Sequence, residues 1–244
     1  MARDVDVDKV VRQHAEMESF FAGFAVRGKG ERTASPAQSP APDGADAGET
    51  LEAVALEVCQ CRKCDLGGQR TNAVPGEGSP RARIMFVGEA PGADEDAQGR
   101  PFVGRAGQLL DKIIAACGLR RDEVFIGNIL KCRPPGNRDP RPEEIVSCLP
   151  YLQRQIEIIQ PDVIVALGAH AARTLLNTSE SIGRLRGQFH EYSAGIGQPP
   201  VKLMATYHPA YILRNYTPDT RRRVWEDMKK VLAEVGLPVP GSDG

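Results

Sequence analysis

The chain has 244 residues, 41% of them hydrophobic, so it contains enough apolar material to bury the core of one large domain or two small ones. Its formal net charge is −1, and this balance neither indicates nor excludes a polyanionic partner. No apolar run reaches the roughly 18 residues that a membrane span requires, and the N-terminus lacks the apolar core of a secretory signal, so we expect a cytoplasmic protein without a membrane partner.

The N-terminal part of the chain differs in composition from the rest. Apolar side chains recur at helical spacing over residues 10–24, and a stretch rich in Ser, Pro, Ala and Gly follows. We predict an N-terminal arm over residues 1–50, made of a short amphipathic helix and a disordered linker. Residues 10–24 are a candidate docking face for a protein partner, or else pack weakly on the parent domain. We expect a single domain over residues 51–238 and a flexible tail over residues 239–244.

Apolar runs rich in β-forming residues alternate with helical patterns through this domain. Three of the four runs are nearly continuous, as is typical of strands covered on both faces. The alternation predicts a doubly wound α/β fold, with a mainly parallel four-stranded sheet flanked by helices. The predicted strands are 83–88, 124–128, 163–167 and 201–207, and the predicted helices are Gly107–Cys117, Pro142–Gln160, Ala169–Leu176 and Thr217–Val235.

The segments that follow the four strands are the candidate site. In open α/β sheets, ligands bind beyond the carboxyl ends of the strands. The segments in question are "GEAPGADED" at 88–96, "NILKCRPP" at 128–135, "GAHAA" at 168–172 and "HPAYILR" at 208–214. Residues 181–225 also carry an excess of Lys and Arg, which makes them a candidate polyanion-binding face or a solvated surface.

Six cysteines occur in the chain, and disulfides are not expected in a cytoplasmic protein. Cys61 and Cys64 form a C-x2-C pair, and Cys132 and Cys148 form a second pair farther along. Two such pairs suit a site with four thiolate ligands. Zinc and an iron–sulfur cluster both accept four cysteines, and the spacing does not choose between them. Cys59 offers an alternative start to the first pair.

Several motifs in the same order resemble bacterial and archaeal family 4 uracil-DNA glycosylases, the iron–sulfur branch of their superfamily. They are the cysteine pairs, "GEAPGADED", "GRPFVGRAGQLL", "NILKCRPPGNR" and "HPAYILR", and the resemblance spans about residues 55–235. It implies a monomeric, monofunctional DNA-repair enzyme that flips uracil out of single- or double-stranded DNA and hydrolyses its N-glycosidic bond. It also implies one 4Fe-4S cluster, held by Cys61, Cys64, Cys132 and Cys148.

Two side chains are predicted to bind the extruded base. Extrusion costs a few kcal/mol, and stacking on an aromatic ring such as Phe102 offsets about 1–3 kcal/mol of it. The amide of Asn128 can accept from uracil N3–H and donate to O4, whereas cytosine presents the reverse pattern. Thymine differs by one methyl group, and the resemblance assigns its exclusion to Glu95.

Cleavage of the bond needs partners for charge at both ends. His208 is predicted to donate to uracil O2 as a neutral imidazole, and Glu89 to position water and face the sugar cation. Other branches of the superfamily have Asp or Asn after this Glu. This chain has Ala90, whose backbone N–H alone is available to O2.

DNA contacts are predicted at two places. Gly104 and Gly107 allow a phosphate to approach a helix N-terminus, and Arg214 can reach another phosphate. The three residues predicted to wedge into the gap left by the flipped nucleotide are Tyr211, Ile212 and Leu213.

Two other functions compete with this interpretation. One is a non-catalytic iron–sulfur DNA-binding module, against which the presence of Glu89, Asn128 and His208 argues. The other is a glycosylase of wider scope that acts on hypoxanthine or other deaminated bases.

Overall fold

A computed structural model describes residues 49–193 and 199–240. The predicted N-terminal helix and linker lie outside the described residues, as does most of the predicted tail, so both remain predictions. No helix within these two ranges is long and apolar enough to cross a membrane.

Nine α-helices occur in the described ranges. They are α1 (Leu51–Gln60), α2 (Leu66–Gln69), α3 (Ala93–Gln98), α4 (Arg105–Ala116), α5 (Pro142–Ile159), α6 (Ala169–Leu176), α7 (Ile182–Leu185), α8 (Pro209–Arg214) and α9 (Pro218–Glu234). The strands are β1 (Glu77–Gly78), β2 (Ile84–Gly88), β3 (Phe125–Asn128), β4 (Val163–Leu167), β5 (Phe189–Tyr192) and β6 (Val201–Thr206).

The strands form one mixed sheet in the order β1-β3-β2-β4-β6-β5. Its four central strands are parallel and correspond to the four predicted runs, which confirms the doubly wound α/β fold. Two antiparallel edge strands, β1 and β5, were missed. The first has only two residues, and the second has the polar residues His190 and Glu191 in place of a continuous apolar run.

Complete burial explains why the central strands could be predicted from the sequence. Every residue of β2 and of β4 is buried, so both strands are apolar throughout. The register pairs Gly88 with Asn128, the last residues of β2 and β3. The segments that follow these two strands therefore leave the sheet side by side.

The sheet separates two layers of hydrophobic core. One layer contains buried residues of α1, α5 and α6 together with Cys132 and Cys148. The other contains buried residues of α4, α8 and α9 together with Phe102. The cysteine pairs and the predicted aromatic platform thus lie on opposite faces of the sheet.

Candidate active site

A cavity of about 300 Å³ lies at the carboxyl ends of the central strands. It is where the segments after β2, β3 and β6 meet. Seven of the residues predicted from the sequence line it, namely Glu89, Ala90, Glu95, Phe102, Asn128, His208 and Arg214.

Gly88 makes this convergence possible. A Cβ atom at this position would lie 2.6 Å from Cζ of Phe102 and would overlap the side-chain oxygen of Asn128. Any other residue at 88 would therefore displace the ring, the amide or both. Gly88 was not among the predicted site residues, although its place at the end of a buried strand was a signal.

Asn128 is a nearly buried residue that lines the cavity. It is only 2% exposed. Its main-chain oxygen accepts a hydrogen bond of 2.9 Å from Nζ of Lys131. A nearly buried amide at the wall of a cavity can distinguish ligands by their polarity, because a mismatched ligand leaves its donor or acceptor unpaired.

Phe102 is held in an uncommon backbone conformation beside the cavity. Its φ is +50°, and its ring lies 5.7 Å from the ring of His208 at an interplanar angle of 32°. A Cβ atom at Gly107 would overlap the carbonyl group of Phe102. Gly107 is buried, so the requirement for glycine here comes from Phe102 rather than from an approaching phosphate.

Glu95 joins the starts of two helices. Its carboxylate accepts hydrogen bonds from the backbone N–H groups of Gly92 at 3.1 Å, Val103 at 2.8 Å and Gly104 at 2.9 Å. The N–H of Gly104, predicted for a phosphate, is therefore already used within the protein. A Cβ atom at Gly104 would also overlap a carboxylate oxygen of Asp94, which explains that glycine without DNA.

His208 is a neutral hydrogen-bond donor at the cavity. Burial, with a smaller contribution from the charge of Arg214, lowers the pKa of His208 to about 4. The N–H of Ala210 donates to Nδ1 of the ring at 3.0 Å. A neutral imidazole that accepts at Nδ1 carries its proton on Nε2, so Nε2–H is the group left to donate.

Glu89 faces two further ionisable groups. Burial raises the pKa of Glu89, the charge of His170 lowers it, and the charge of Asp139 raises it. Nδ1 of His170 lies 3.9 Å from Oε1 of Glu89, and Nε2 lies 3.7 Å from Oδ1 of Asp139. His170 was not among the predicted site residues, although it lies in the segment that follows β4.

A buried ionic network supports the segment that carries His208. Asp227 is 1% exposed, accepts a hydrogen bond of 2.6 Å from the hydroxyl of Thr206, and forms an ion pair of 2.7 Å with Arg186. The guanidinium of Arg186 lies 5.2 Å from the ring centre of Tyr207. This network fixes the end of β6 just before His208.

The predicted wedge is divided between surface and core. Tyr211 is 39% exposed and stacks on Tyr207 with the ring centres 5.0 Å apart. Ile212 is 2% exposed and packs in the core with α4 and α9, which removes it from the wedge. Leu213 is half-buried against the same core. Helix α8 therefore presents one face to solvent and one to the core, and Tyr211 lies on the exposed face.

The four predicted ligand cysteines line one small cavity, together with Val58 and Tyr151. Three of their sulfurs accept hydrogen bonds. The donors are the backbone N–H of Lys63 to Cys61 at 3.5 Å, the backbone N–H of Lys131 to Cys148 at 3.2 Å, and Arg70 to Cys132 at 3.0 Å.

Cys59 is exposed and does not line that cavity, and its carbonyl accepts from Arg70. Cys61, and not Cys59, therefore lies in the cavity with Cys64.

The fold is that of a known class of proteins. A sequence model of the uracil DNA glycosylase superfamily matches residues 75–229, and the chain belongs to this superfamily. The type-4 uracil-DNA glycosylase of Archaeoglobus fulgidus is 49% identical over 187 residues, which cover 75% of this chain and 92% of that protein. Those of Sulfurisphaera tokodaii and Thermotoga maritima are 49% and 48% identical; each match covers 75% of this chain, and 84% and 93% of the respective relatives. Within the superfamily, the chain belongs to the type-4 enzymes.

Proposed function

We propose that the protein is a uracil-DNA glycosylase of base excision repair, which hydrolyses the N-glycosidic bond of uracil extruded from DNA and leaves an abasic site. The observation that carries this proposal is the convergence of Glu89, Phe102, Asn128 and His208 on one cavity. Membership in the type-4 family supports the substrate. The proposed partner is uracil-containing DNA.

Recognition of uracil rests on the platform and the amide. The ring of Phe102 and the side chain of Asn128 both pack closely against Gly88, where a Cβ atom would otherwise be. A base stacked on the ring therefore has its polar edge near the amide. The amide then accepts from N3–H and donates to O4. Cytosine would leave a buried donor or acceptor unpaired, which costs about 1–3 kcal/mol.

Exclusion of thymine is assigned to Glu95. Three backbone N–H groups hold its carboxylate in place at the wall of the cavity. A wall that cannot move aside rejects an additional methyl group more strongly than a flexible pocket does.

Cleavage is served by three groups of this chain. The Nε2–H of His208 and the backbone N–H of Ala90 donate to O2 as negative charge develops on the departing base. The carboxylate of Glu89 orients the attacking water and stabilises positive charge on the sugar. A neutral His208 suits this role, because a hydrogen bond stabilises the delocalised uracil anion without transfer of a proton.

The four cysteines fit an iron–sulfur cluster better than zinc. Tetrahedral zinc with bonds of about 2.3 Å holds its sulfurs about 3.8 Å apart. Within the described residues, no three of these sulfurs lie within 4.8 Å of one another; the only such trio of metal-ligating side chains is Glu89, Asp139 and His170. A larger 4Fe-4S cluster suits the wider spacing, and hydrogen bonds to the sulfurs are typical of such sites. When bound, it supplies a rigid cross-link between its ligand segments.

The test of the proposed function is uracil release by the variant Asn128→Asp. A carboxylate cannot donate to O4, so we expect kcat/KM on uracil-containing oligonucleotides to fall by about 10-fold or more. Asn177→Asp makes the same change at an exposed helix end and serves as the control. Undiminished activity of Asn128→Asp would remove Asn128 from base recognition.

The same assay separates the competing functions. Wild-type protein with its cluster is incubated with oligonucleotides that contain uracil, hypoxanthine or other deaminated bases, and abasic sites are cleaved with alkali. Release of uracil alone supports the proposal, and release of several bases supports a wider scope. Binding without release from any substrate would identify a non-catalytic module.

A further inference from the structure

Lys131 is a lysine buried between the two proposed sites. It is 1% exposed, and its Nζ donates to the main-chain oxygen of Asn128 at 2.9 Å and to Oε1 of Gln155 at 2.6 Å. Both acceptors are uncharged. Burial lowers the pKa of Lys131 to about 8, so an anion nearby is needed to favour its charged ammonium form.

A cluster bound in the cysteine cavity would supply that anion. Among the described residues, the ionisable group that acts on Lys131 is the sulfur of Cys148, which also accepts the backbone N–H of Lys131 at 3.2 Å. The next residue in the chain is Cys132, a second proposed ligand. Four deprotonated thiolates make a loaded cluster anionic.

Lys131 also ties together the elements around the base site. Gln155, which lies in α5, donates to the carbonyl of Pro75 at 2.8 Å, and the N–H of Val74 donates to the carbonyl of Lys131 at 2.8 Å. The ammonium group thus joins α5 to the end of β3, where Asn128 lies.

We propose that Lys131 is the internal counter-cation of the iron–sulfur cluster and the positioning residue through which the cluster stabilises Asn128 in its base-reading orientation. This inference rests on the proposed function, because it requires both a bound cluster and a role for Asn128. It gives the cluster a defined influence on the active site: the cluster's negative charge keeps the ammonium in place, and the ammonium holds the backbone of Asn128.

The experiment compares Lys131→Met with Lys63→Met in anaerobically purified protein. Lys63 is a matched control because it also neighbours the cysteines, but it is exposed, with its Nζ 4.7 Å from the ring centre of Tyr151. Iron content, the midpoint reduction potential of the cluster, and kcat and KM for uracil release are measured for each protein.

We expect Lys131→Met to have a more negative midpoint potential than wild type, because loss of a nearby positive charge disfavours the reduced cluster. We expect its kcat/KM to fall by about 10-fold to 100-fold, since a small misplacement of a base-reading group has effects of that order. Lys63→Met should show a smaller change in potential, because solvent screens its charge, and a smaller fall in kcat/KM than Lys131→Met. A Lys131→Met enzyme that equals Lys63→Met in either quantity overturns the proposal.

A second variant is tested if Lys131→Met does not fold or does not bind iron. Gln155→Glu keeps the lysine but places a carboxylate beside Nζ, so the cluster should again have a more negative potential. An unchanged potential in this variant overturns the proposal. Wild-type protein that lacks iron or does not release uracil would instead refute the proposed function, so the two failures are distinguishable.

Discussion

Glu89 has a pKa that depends on two neighbours with opposite effects. Burial raises this pKa, the charge of His170 lowers it, and the charge of Asp139 raises it. These two are the charged groups that act on Glu89 within the described ranges. Because the proposed water-positioning role needs the carboxylate, activity should be present above the pKa of Glu89 and be lost as the pH falls through it. Burial lowers the pKa of His208 to about 4, whereas it raises the pKa of Glu89.

We therefore predict opposite shifts of the acidic limb of kcat for two variants. His170→Ala removes a group that favours the carboxylate, so the limb should move to higher pH. Asp139→Asn removes a group that disfavours the carboxylate, so the limb should move to lower pH. The measurement is uracil release against pH under single-turnover conditions. Shifts in the same direction would show that Glu89 does not control the limb.

Residue types at strand ends were predictable, and contacts across the fold were not. Asn128 and His208 could be assigned candidate roles because each follows an apolar run and matches a family motif. Ile212 was misplaced because the sequence does not show which side of the short helix α8 meets the core. His170 was missed because its importance comes from Glu89, which is distant along the chain.

Helix α4 helps to position the ring of Phe102 at the active site. Its buried face packs against the sheet, and its first turn passes so close to Phe102 that only glycine fits at position 107. The positive φ of Phe102 costs about 1–3 kcal/mol. Close packing of the helix against the Phe102 backbone holds that conformation, and with it the orientation of the ring.

We predict that Gly107→Ala lowers both stability and activity. The added methyl group must displace the helix or Phe102, which should reduce the free energy of unfolding by at least the about 1–3 kcal/mol typical of overpacking. Gly183→Ala is the control, because it is also a helical glycine but meets only one atom, at 3.9 Å. Denaturant unfolding and uracil release are measured for both. Equal behaviour of the two variants would contradict this account of α4.

Elements differ in how clearly they could be predicted. The parallel strands were found because burial on both faces gives an unbroken apolar run, and α6 was predicted with the bounds it has. Helix α4 begins at Arg105, two residues before its predicted start, because Gly104 takes the capping position. The edge strands were missed because one is very short and the other is half-exposed.

At the scale of the molecule, the cysteines lie where α1 meets α5 in one core layer. The segment with Cys61 and Cys64 follows α1, whose buried residues are Val54 and Val58. Arg154 of α5 forms partly exposed ion pairs with Glu49, just before α1, and with Glu57 in α1, and such pairs contribute little. A bound cluster would therefore add to the attachment of α1 to α5 that the buried apolar residues provide.

We predict that loss of the cluster loosens this layer before the sheet. In Cys132→Ser, or after iron chelation, amides of residues 51–64 should exchange hydrogen much faster than in the loaded protein, while those of residues 163–167 should remain protected. The melting temperature should fall and the brown colour should be lost. Hydrogen exchange with mass spectrometry tests this, and uniform acceleration across both regions would contradict it.

The cavity is lined by residues from Glu89 to Arg214, so its walls come from widely separated parts of the chain. Contacts of this range form only when most of the polypeptide is available. During synthesis, a chain whose β6 and α8 have not yet left the ribosome lacks His208 at the cavity. Its cavity is therefore incomplete. The emerging protein therefore cannot act on DNA bases until these segments have been released, and a product truncated before residue 208 should be inert toward DNA bases.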